Sequence, residues 1–201
     1  MLEKPAINQV AIHELIAKRW SPLAFDASRP VSREHLLSLL EAARWAPSCY
    51  GAQPWRYVIY DKNTHAQAWE KAFNCLAEAN QVWAKNAPVL MLAVTRNFFE
   101  HNDQPNRWAQ YDCGAATENL CLQAIDKGLI VHQMGGFDPH QAHEVLGIPP
   151  DFTCMAMIAI GYQASPDILE GEYKERELAE RQRKPLEELF FEGEWGTKPV
   201  I

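Results

Sequence analysis

Apolar residues recur at helical spacing in the stretch that ends near position 46. Their period of three to four residues predicts a helix from about Arg33 to Ala46. Ser32 is its expected N-cap, and Pro47 ends it because proline disfavours helical geometry in the residue before it. The stripe consists of Leu36, Leu37, Leu40 and Ala43.

Four other stretches carry helical patterns. A stripe in residues 10–19 predicts a helix that ends near Arg19, and residues 64–85 are expected to be mostly helical. The segment from Asp138 to Gly147 has a capping residue, a proline at its start and a terminating glycine. Residues 112–127 begin with small side chains that permit close packing, so we expect a central helix against the sheet or a partner subunit.

Continuous apolar runs predict strands that are buried on both faces. One strand begins at Trp55, and the others occupy Val89–Val94, residues 129–134 and residues 154–161. Residues 98–108 are polar and aromatic, which indicates a loop or lid.

The chain changes character from Ala164 onward. Residues 172–184 are highly charged, and the apolar residues that follow have too few local partners to form their own core. We therefore expect residues 1–201 to form one domain whose residues 164–201 are an extended arm. Such an arm lies along the main body or along another subunit.

Composition narrows the function classes. The chain has 201 residues, is 47% hydrophobic and carries a net charge of −7. This charge argues against nucleic-acid binding and against attachment to an anionic membrane. Five cysteines without a Cys-x-x-Cys pair indicate a reducing, cytoplasmic location. The N-terminus lacks the apolar core of a signal peptide, and no run is long enough to span a bilayer.

Several polar residues are candidates for binding a ligand. Arg19 and Ser21 suit a phosphate, because guanidinium offers parallel donors and serine a short one. The turn between Pro47 and Trp55 and the pair Gly135-Gly136 would let backbone amides approach a flat ligand. Simpler explanations exist for some of these features: Arg19 and Ser21 could be a solvated arginine and a turn serine, and the turn could be an ordinary helix-to-strand connection. The basic residues Arg181, Arg183 and Lys184 of the arm could likewise form a charged, solvated helix face.

Other sites find little support in the sequence. His140 and His143 could share a helix face as metal ligands, but no cysteine or carboxylate has supporting spacing, so two exposed histidines explain them better. Neither a Rossmann nor a P-loop glycine pattern occurs, and Ser48 is not in a nucleophile elbow. We therefore expect no metal site and no dedicated catalytic side chain.

Four motifs in order give the chain a family resemblance. They are Arg-x-Ser before Phe25-Asp26, Pro30-Val31 before a leucine-rich helix, Ala-Pro-Ser at 46–48, and Gln-Pro-Trp at 53–55. Together they resemble the nitroreductase family of flavin enzymes. The resemblance covers nearly the whole chain and implies an α+β fold with a mixed central sheet flanked by helices, in a homodimer whose C-terminal arms embrace the partner.

The same resemblance implies FMN as cofactor and NADH or NADPH as reductant. A small aromatic acceptor, such as a nitroaromatic or quinone, would be reduced by a ping-pong mechanism with the chemistry at the flavin N5. Arg19 and Ser21 with Arg181 and Arg183 would hold the phosphate and ribityl chain. The residues near the ring would be Trp20, Pro47, Ser48, Cys49, Gly51, Gln53, Gln133, Gly135 and Gly136, with 47–49 from the other subunit.

Three departures from the family pattern stand out. Trp20 occupies a position where the family often has arginine or histidine, Leu23 replaces a basic residue, and Gly51 replaces a common asparagine. A phosphate contact and a ring contact are therefore in question. Two alternatives stay open at this point: an FMN-binding carrier or sensor without turnover, and a flavin-free interaction protein.

Overall fold

A four-stranded sheet forms the centre of the computed structural model, which describes residues 2–200; Met1 and Ile201 of the expected domain lie outside it. The strands are β1 (Trp55–Asp61), β2 (Val89–Arg96), β3 (Ile130–Met134) and β4 (Phe152–Gly161), in the spatial order β1-β2-β4-β3. All four were predicted from their apolar runs. Val58 pairs with Leu92, and Ile160 pairs with both Val89 and Val131.

Seven helices surround the sheet in the part of the chain described here. Their bounds are α1 (Glu14–Lys18), α2 (Arg33–Arg44), α3 (Ala66–Asn74), α4 (Glu78–Ala84), α5 (Ala109–Asp126), α6 (Pro139–Leu146) and α7 (Gly171–Leu178). Short 3₁₀ turns occur at Cys49–Gly51, Pro166–Ile168 and Leu186–Glu188. This combination confirms the α+β class.

Alternate residues of each strand enter two separate cores. On β2, Leu90 and Leu92 pack with α3, α4 and α6, whereas Val89 and Met91 pack with α2 and α5. Both faces of the sheet are therefore covered, and the strands are apolar without alternation. The prediction that α5 packs against the sheet is confirmed.

The expected mixed sheet is wrong for the strand pairings within residues 2–200, all of which are antiparallel. Continuous apolar strands are typical of parallel sheets because helices cover both of their faces. Here an antiparallel sheet is covered in the same way. The residue pattern reports burial on two faces and not strand direction.

Helix ends follow the capping signals where these are strong. Ser32 accepts the N–H of His35 at 3.1 Å and starts α2. Asp138 accepts two N–H groups at the start of α6, which ends at Gly147 with φ +68°. Both predicted caps are therefore confirmed.

Two predicted helices differ from the structure. The stretch 64–85 is divided into α3 and α4, because Leu76 forms a bridge with Phe137 and the Ala77 N–H donates to the Gly136 carbonyl at 3.0 Å. The expected helix 10–19 is only the five residues of α1. Its apolar residues Ile12 and Ile16 stay exposed, so no packing within the described chain extends it.

The C-terminal arm begins on the main body. Glu177 of α7 is buried and accepts the N–H of Leu23 at 2.7 Å. Beyond residue 188, apolar side chains such as Phe190 and Trp195 are exposed, Trp195 by 91%.

Each helix between residues 2 and 200 is too short or too polar to span a bilayer.

Candidate functional site

A cavity of about 310 Å³ brings the first group of predicted residues together. It lies between the N-terminal segment, the chain after α1, β3 and the start of the arm. Five cations but only two carboxylates line it, which favours an anionic ligand. The lining residues are Lys4, Arg19, Trp20, Ser21, Leu23, His132, Arg176, Glu177, Ala179, Glu180, Arg181, Gln182 and Arg183.

Arg181 joins the arm to the N-terminal part of the chain. Its guanidinium donates to the carbonyls of Lys4 and Ala17, both at 2.8 Å. Burial lowers the pKa of Arg181, and the neighbouring charges of Arg19 and Arg183 lower it further. Three guanidinium groups therefore lie close enough to repel one another, and a bound phosphate would relieve that repulsion.

Arg19 and Ser21 flank the cavity from the end of α1. The Arg19 guanidinium lies 3.5 Å from the Glu118 carboxylate of α5, an ion pair that leaves other donors free. Ser21 is exposed. Arg19 and Ser21, which the sequence suggested as phosphate ligands, therefore line the same cavity as Arg181 and Arg183.

Lys4 is a cavity residue that the motif analysis missed. Its Nζ donates to the Glu177 carbonyl at 2.8 Å and lies 4.4 Å from the centroid of the Trp20 ring. Lys4 belongs to no motif, and the two residues whose carbonyls accept hydrogen bonds from its Nζ are 172 and 173 positions away. No local signal could have found it.

Glu177 and His132 were also missed. The Glu177 carboxylate accepts the N–H groups of Leu23 at 2.7 Å and Ala24 at 3.4 Å, which fixes the chain beside the cavity. A ring nitrogen of His132 lies 3.0 Å from the Pro22 carbonyl oxygen. Burial lowers the pKa of His132, so the neutral imidazole is favoured.

The residues at the end of β3 have mixed surroundings. Gln133 donates its side-chain amide to the Cys121 thiol at 3.3 Å. Gly135 is open, since nothing lies within 4 Å of the position that a Cβ would take. At Gly136 a Cβ would come within 2.7 Å of the Asn80 amide nitrogen, so the end of this α4 side chain would have to move to admit a larger residue.

The loop at 48–53 has unusual backbone geometry. Positive φ angles occur at Tyr50 (+53°), Gly51 (+64°) and Gln53 (+43°). Left-handed geometry is costly for a bulky residue such as tyrosine and is common at functional sites. The loop is held by the Ser48 hydroxyl, which accepts the Gln53 N–H at 3.0 Å, and by the Cys49 N–H, which donates to Asp112 at 3.0 Å.

Aromatic side chains join this loop to residues 98–108. Tyr50 is 85% exposed, and its ring lies 6.0 Å from Phe99 and 6.2 Å from His101 between centroids. Phe99 also packs near Trp108 at 6.4 Å. The expectation of a loop at 98–108 is confirmed, and the aromatic side chains of this loop contact Tyr50. Trp20 lies elsewhere, in the lining of the cationic cavity.

Helix α5 separates the two groups of predicted residues. Asp112 contacts Cys49, and Cys121 contacts Gln133. Nine residues of a helix span about 13.5 Å and about two and a half turns. These two contacts therefore lie on opposite faces of α5. Residues 47–53 therefore do not line the cationic cavity of their own chain.

The expected absence of a metal site concerns His140 and His143. The His143 ring nitrogen lies 3.1 Å from the Ile148 carbonyl oxygen, which gives it a partner within its own turn. Within residues 2–200, no three His, Cys, Asp or Glu side chains are grouped to hold a metal ion.

Comparisons with known proteins agree on one family. The Nitroreductase family model matches residues 16–162. A crystal structure of an oxidoreductase containing FMN is 38% identical, with a TM-score of 0.88 over 95% of this chain and 96% of that one. A 15.4 kDa protein of Mycolicibacterium smegmatis is 30% identical over 67% of this chain and 91% of its own. The oxygen-insensitive NADPH nitroreductase of Helicobacter acinonychis is 27% identical over 89% and 95%.

Proposed function

The chain belongs to the nitroreductase family, and on that premise we propose that it is an FMN-dependent oxidoreductase that uses NADH or NADPH. Its FMN-containing relative of known structure is 38% identical over almost the whole chain. The observation that carries the proposal is the cavity, where Arg19, Arg181 and Arg183 surround a space that is also lined by His132, the neighbour of Gln133 in β3.

The residues present fit the phosphate of FMN. Burial lowers the pKa of Arg181, and the neighbouring charges of Arg19 and Arg183 lower it further, so an anion bound among the three arginines would be favoured. Arg181 uses one nitrogen on backbone carbonyls and keeps further donors. We assign the phosphate and ribityl chain to these three arginines and Ser21.

We propose that a second copy of the chain completes the ring site. Gln133, Gly135 and Gly136 would face the ring from one subunit, because Gln133 lies in the strand that borders the cavity and the two glycines follow that strand. The partner would contribute Pro47, Ser48, Cys49, Gly51 and Gln53, which lie across α5 from the cavity of their own chain. The exposed apolar residues in and before α1 and in the arm support a homodimer, because monomeric proteins rarely expose large apolar patches.

When bound, FMN would supply the redox chemistry, namely hydride acceptance from the nicotinamide and electron transfer to a small aromatic acceptor such as a nitroaromatic or quinone. The protein would bind the flavin, orient it and cover it. Burial raises the pKa of the Cys121 thiol beside Gln133 to about 12, so it stays protonated and is not a nucleophile. The aromatic group of Tyr50 and residues 98–108 would wall the acceptor site and discriminate weakly between flat molecules.

Binding of FMN tests the cofactor assignment. We expect calorimetric titration to show binding, and Arg19→Ala or Arg183→Ala to weaken it roughly 10- to 150-fold, the loss of one charge-assisted hydrogen bond. Arg33→Ala is the control, because this arginine is exposed at the start of α2, away from the cavity. Unchanged affinity in both cavity variants would refute the phosphate site.

Steady-state kinetics test the proposed ping-pong mechanism. If reductant and acceptor use one open face in turn, double-reciprocal plots at several acceptor concentrations are parallel. Intersecting lines would indicate a ternary complex and contradict the mechanism. Reduction by NADH or NADPH without reoxidation by any acceptor in a panel would favour the carrier or sensor.

The homodimer is tested by light scattering and by truncation. Removing residues 164–201 deletes Glu177 and Arg181 and uncovers both the core and the cavity, so we expect insoluble or colourless protein. A soluble yellow monomer after this truncation would contradict the arrangement.

The five unpaired thiols support a reducing, cytoplasmic location.

A further inference from the structure

Lys4 reaches the cationic cavity from a part of the chain that carries no recognised motif. Residues 2–12 form no helix or strand and lie beside the arm, where the Leu186 N–H donates to the Gln9 side chain at 2.8 Å. The Ala6 N–H donates to the Ala17 carbonyl at 2.8 Å. The N-terminal segment is thus held at both α1 and the arm.

Two hydrogen bonds to the arm, one accepted and one donated, fix the position of Lys4. Its carbonyl accepts from the Arg181 guanidinium, and its ammonium donates to the Glu177 carbonyl, each at 2.8 Å. The ammonium also lies over the Trp20 ring, 4.4 Å from the centroid. Such a constrained lysine loses less side-chain entropy on binding a ligand than a free surface lysine does.

The ammonium group is only partly satisfied by these contacts. It has three N–H donors, and its hydrogen-bond acceptors are backbone carbonyls of Glu177 and, at 3.5 Å, Arg176. Across residues 2–200, no carboxylate oxygen lies within 4 Å of it. A positive charge without a paired anion therefore faces a cavity that also contains three arginines from the proposed phosphate site.

We propose that Lys4 is a fourth cation of the phosphate site and that its ammonium donates a hydrogen bond to the phosphate of FMN. This inference rests on the proposed function. It assigns a binding role to the N-terminal segment, which lies outside the stretch 16–162 that matches the family model.

The electrostatics of Lys4 support this role. Burial lowers its pKa, the charge of Glu177 raises it, and the charge of Arg181 lowers it again. The protonated form is thus disfavoured by its surroundings, and a dianionic phosphate would reverse that. Binding would also secure the contact between the N-terminal segment and the arm.

The test compares FMN with riboflavin, which has the same ring and ribityl chain but no phosphate. We expect Lys4→Met to weaken FMN binding about tenfold or more by calorimetry and to leave riboflavin binding unchanged. Lys18→Met is the matched control: it removes a lysine of α1 that pairs with Glu14 and does not line the cavity. Lys4→Gln, which keeps an N–H for the Glu177 carbonyl, serves as a second variant with a smaller packing change.

The possible outcomes separate the hypotheses. Equal losses for FMN and riboflavin in both Lys4 variants would show a structural brace and overturn the phosphate contact, as would unchanged FMN affinity. Failure of the unmodified protein to bind FMN would refute the proposed function itself. Selective loss of FMN affinity in either Lys4 variant, with Lys18→Met unaffected, would establish the contact.

Discussion

Replacing Glu177 with alanine should destabilise the fold and the site together. This side chain is 1% exposed, and its carboxylate accepts the backbone N–H groups of Leu23 and Ala24. Leu23 lines the cavity together with Trp20 and Ser21, and Ala24 is the next residue in the chain. The bond at 2.7 Å therefore attaches α7, and with it the arm, to the proposed phosphate site.

The magnitude follows from the groups left without partners. A buried N–H that loses its acceptor costs about 1–3 kcal/mol, and the empty space left by the side chain adds to this. The alanine variant no longer buries a charged carboxylate, and this gain offsets part of the loss in stability. We expect a net decrease in unfolding free energy of about 2–3 kcal/mol, which lowers Tm by roughly 4–12 °C for a chain of this length.

Thermal and urea unfolding at one fixed protein concentration measure this change. Glu175→Ala is the control, because it removes an exposed carboxylate from the same helix. We also expect weaker FMN binding in Glu177→Ala, since the Trp20–Ala24 segment loses its anchor. If the two alanine variants are equally stable, the anchoring role of Glu177 is wrong.

The same carboxyl should give stability a pH dependence. Burial raises its pKa, although the two N–H bonds and the charge of Lys4 oppose the rise. The folded protein then binds more protons than the unfolded chain above an unfolded pKa of about 4.3, so this contribution to stability declines as the pH rises through the folded pKa. Glu177→Gln cannot ionise, and we expect its stability relative to the unmodified protein to increase as the pH rises from the unfolded pKa of about 4.3 through the folded pKa. A constant difference across urea titrations would contradict this.

Three further predictions concern stability and reactivity. Ser32→Ala removes the cap that accepts the His35 N–H and should cost about 0.5–2 kcal/mol in urea unfolding. Gly147→Ala, at φ +68°, should cost about 1–2 kcal/mol by the same assay. A disulfide reagent at pH 8 should modify the half-buried Cys49 first and reach the buried Cys121, with a pKa of about 12, only on unfolding. Equal labelling rates in the native protein would contradict that order.

Local chemistry determined much of what the sequence predicted correctly. Apolar runs located all four strands, and a capping side chain, a proline and a glycine fixed the ends of α6. These signals work because they depend on residues within a few positions of one another. The family, too, was identified from short motifs whose order along the chain is itself a sequence property.

Tertiary structure decided which distant residues meet. The pattern of β2 and β4 reported burial but not antiparallel direction, because helices on both faces give the same composition for either arrangement. The partnership of Lys4 with Glu177 joins residues 173 positions apart by contact with a backbone carbonyl, which any residue could provide.

The assembly of the proposed site likewise depended on geometry. The family resemblance assigned Arg19, Arg181 and the turn at 47–53 to one ligand, with residues 47–49 from the other subunit. The structure gathers the arginines into one cavity but sets the turn across α5, because residues nine positions apart on a helix face opposite directions. Residue types determined which chemistry the chain can support, and the packing of α5 and the arm decided which of those residues share one site.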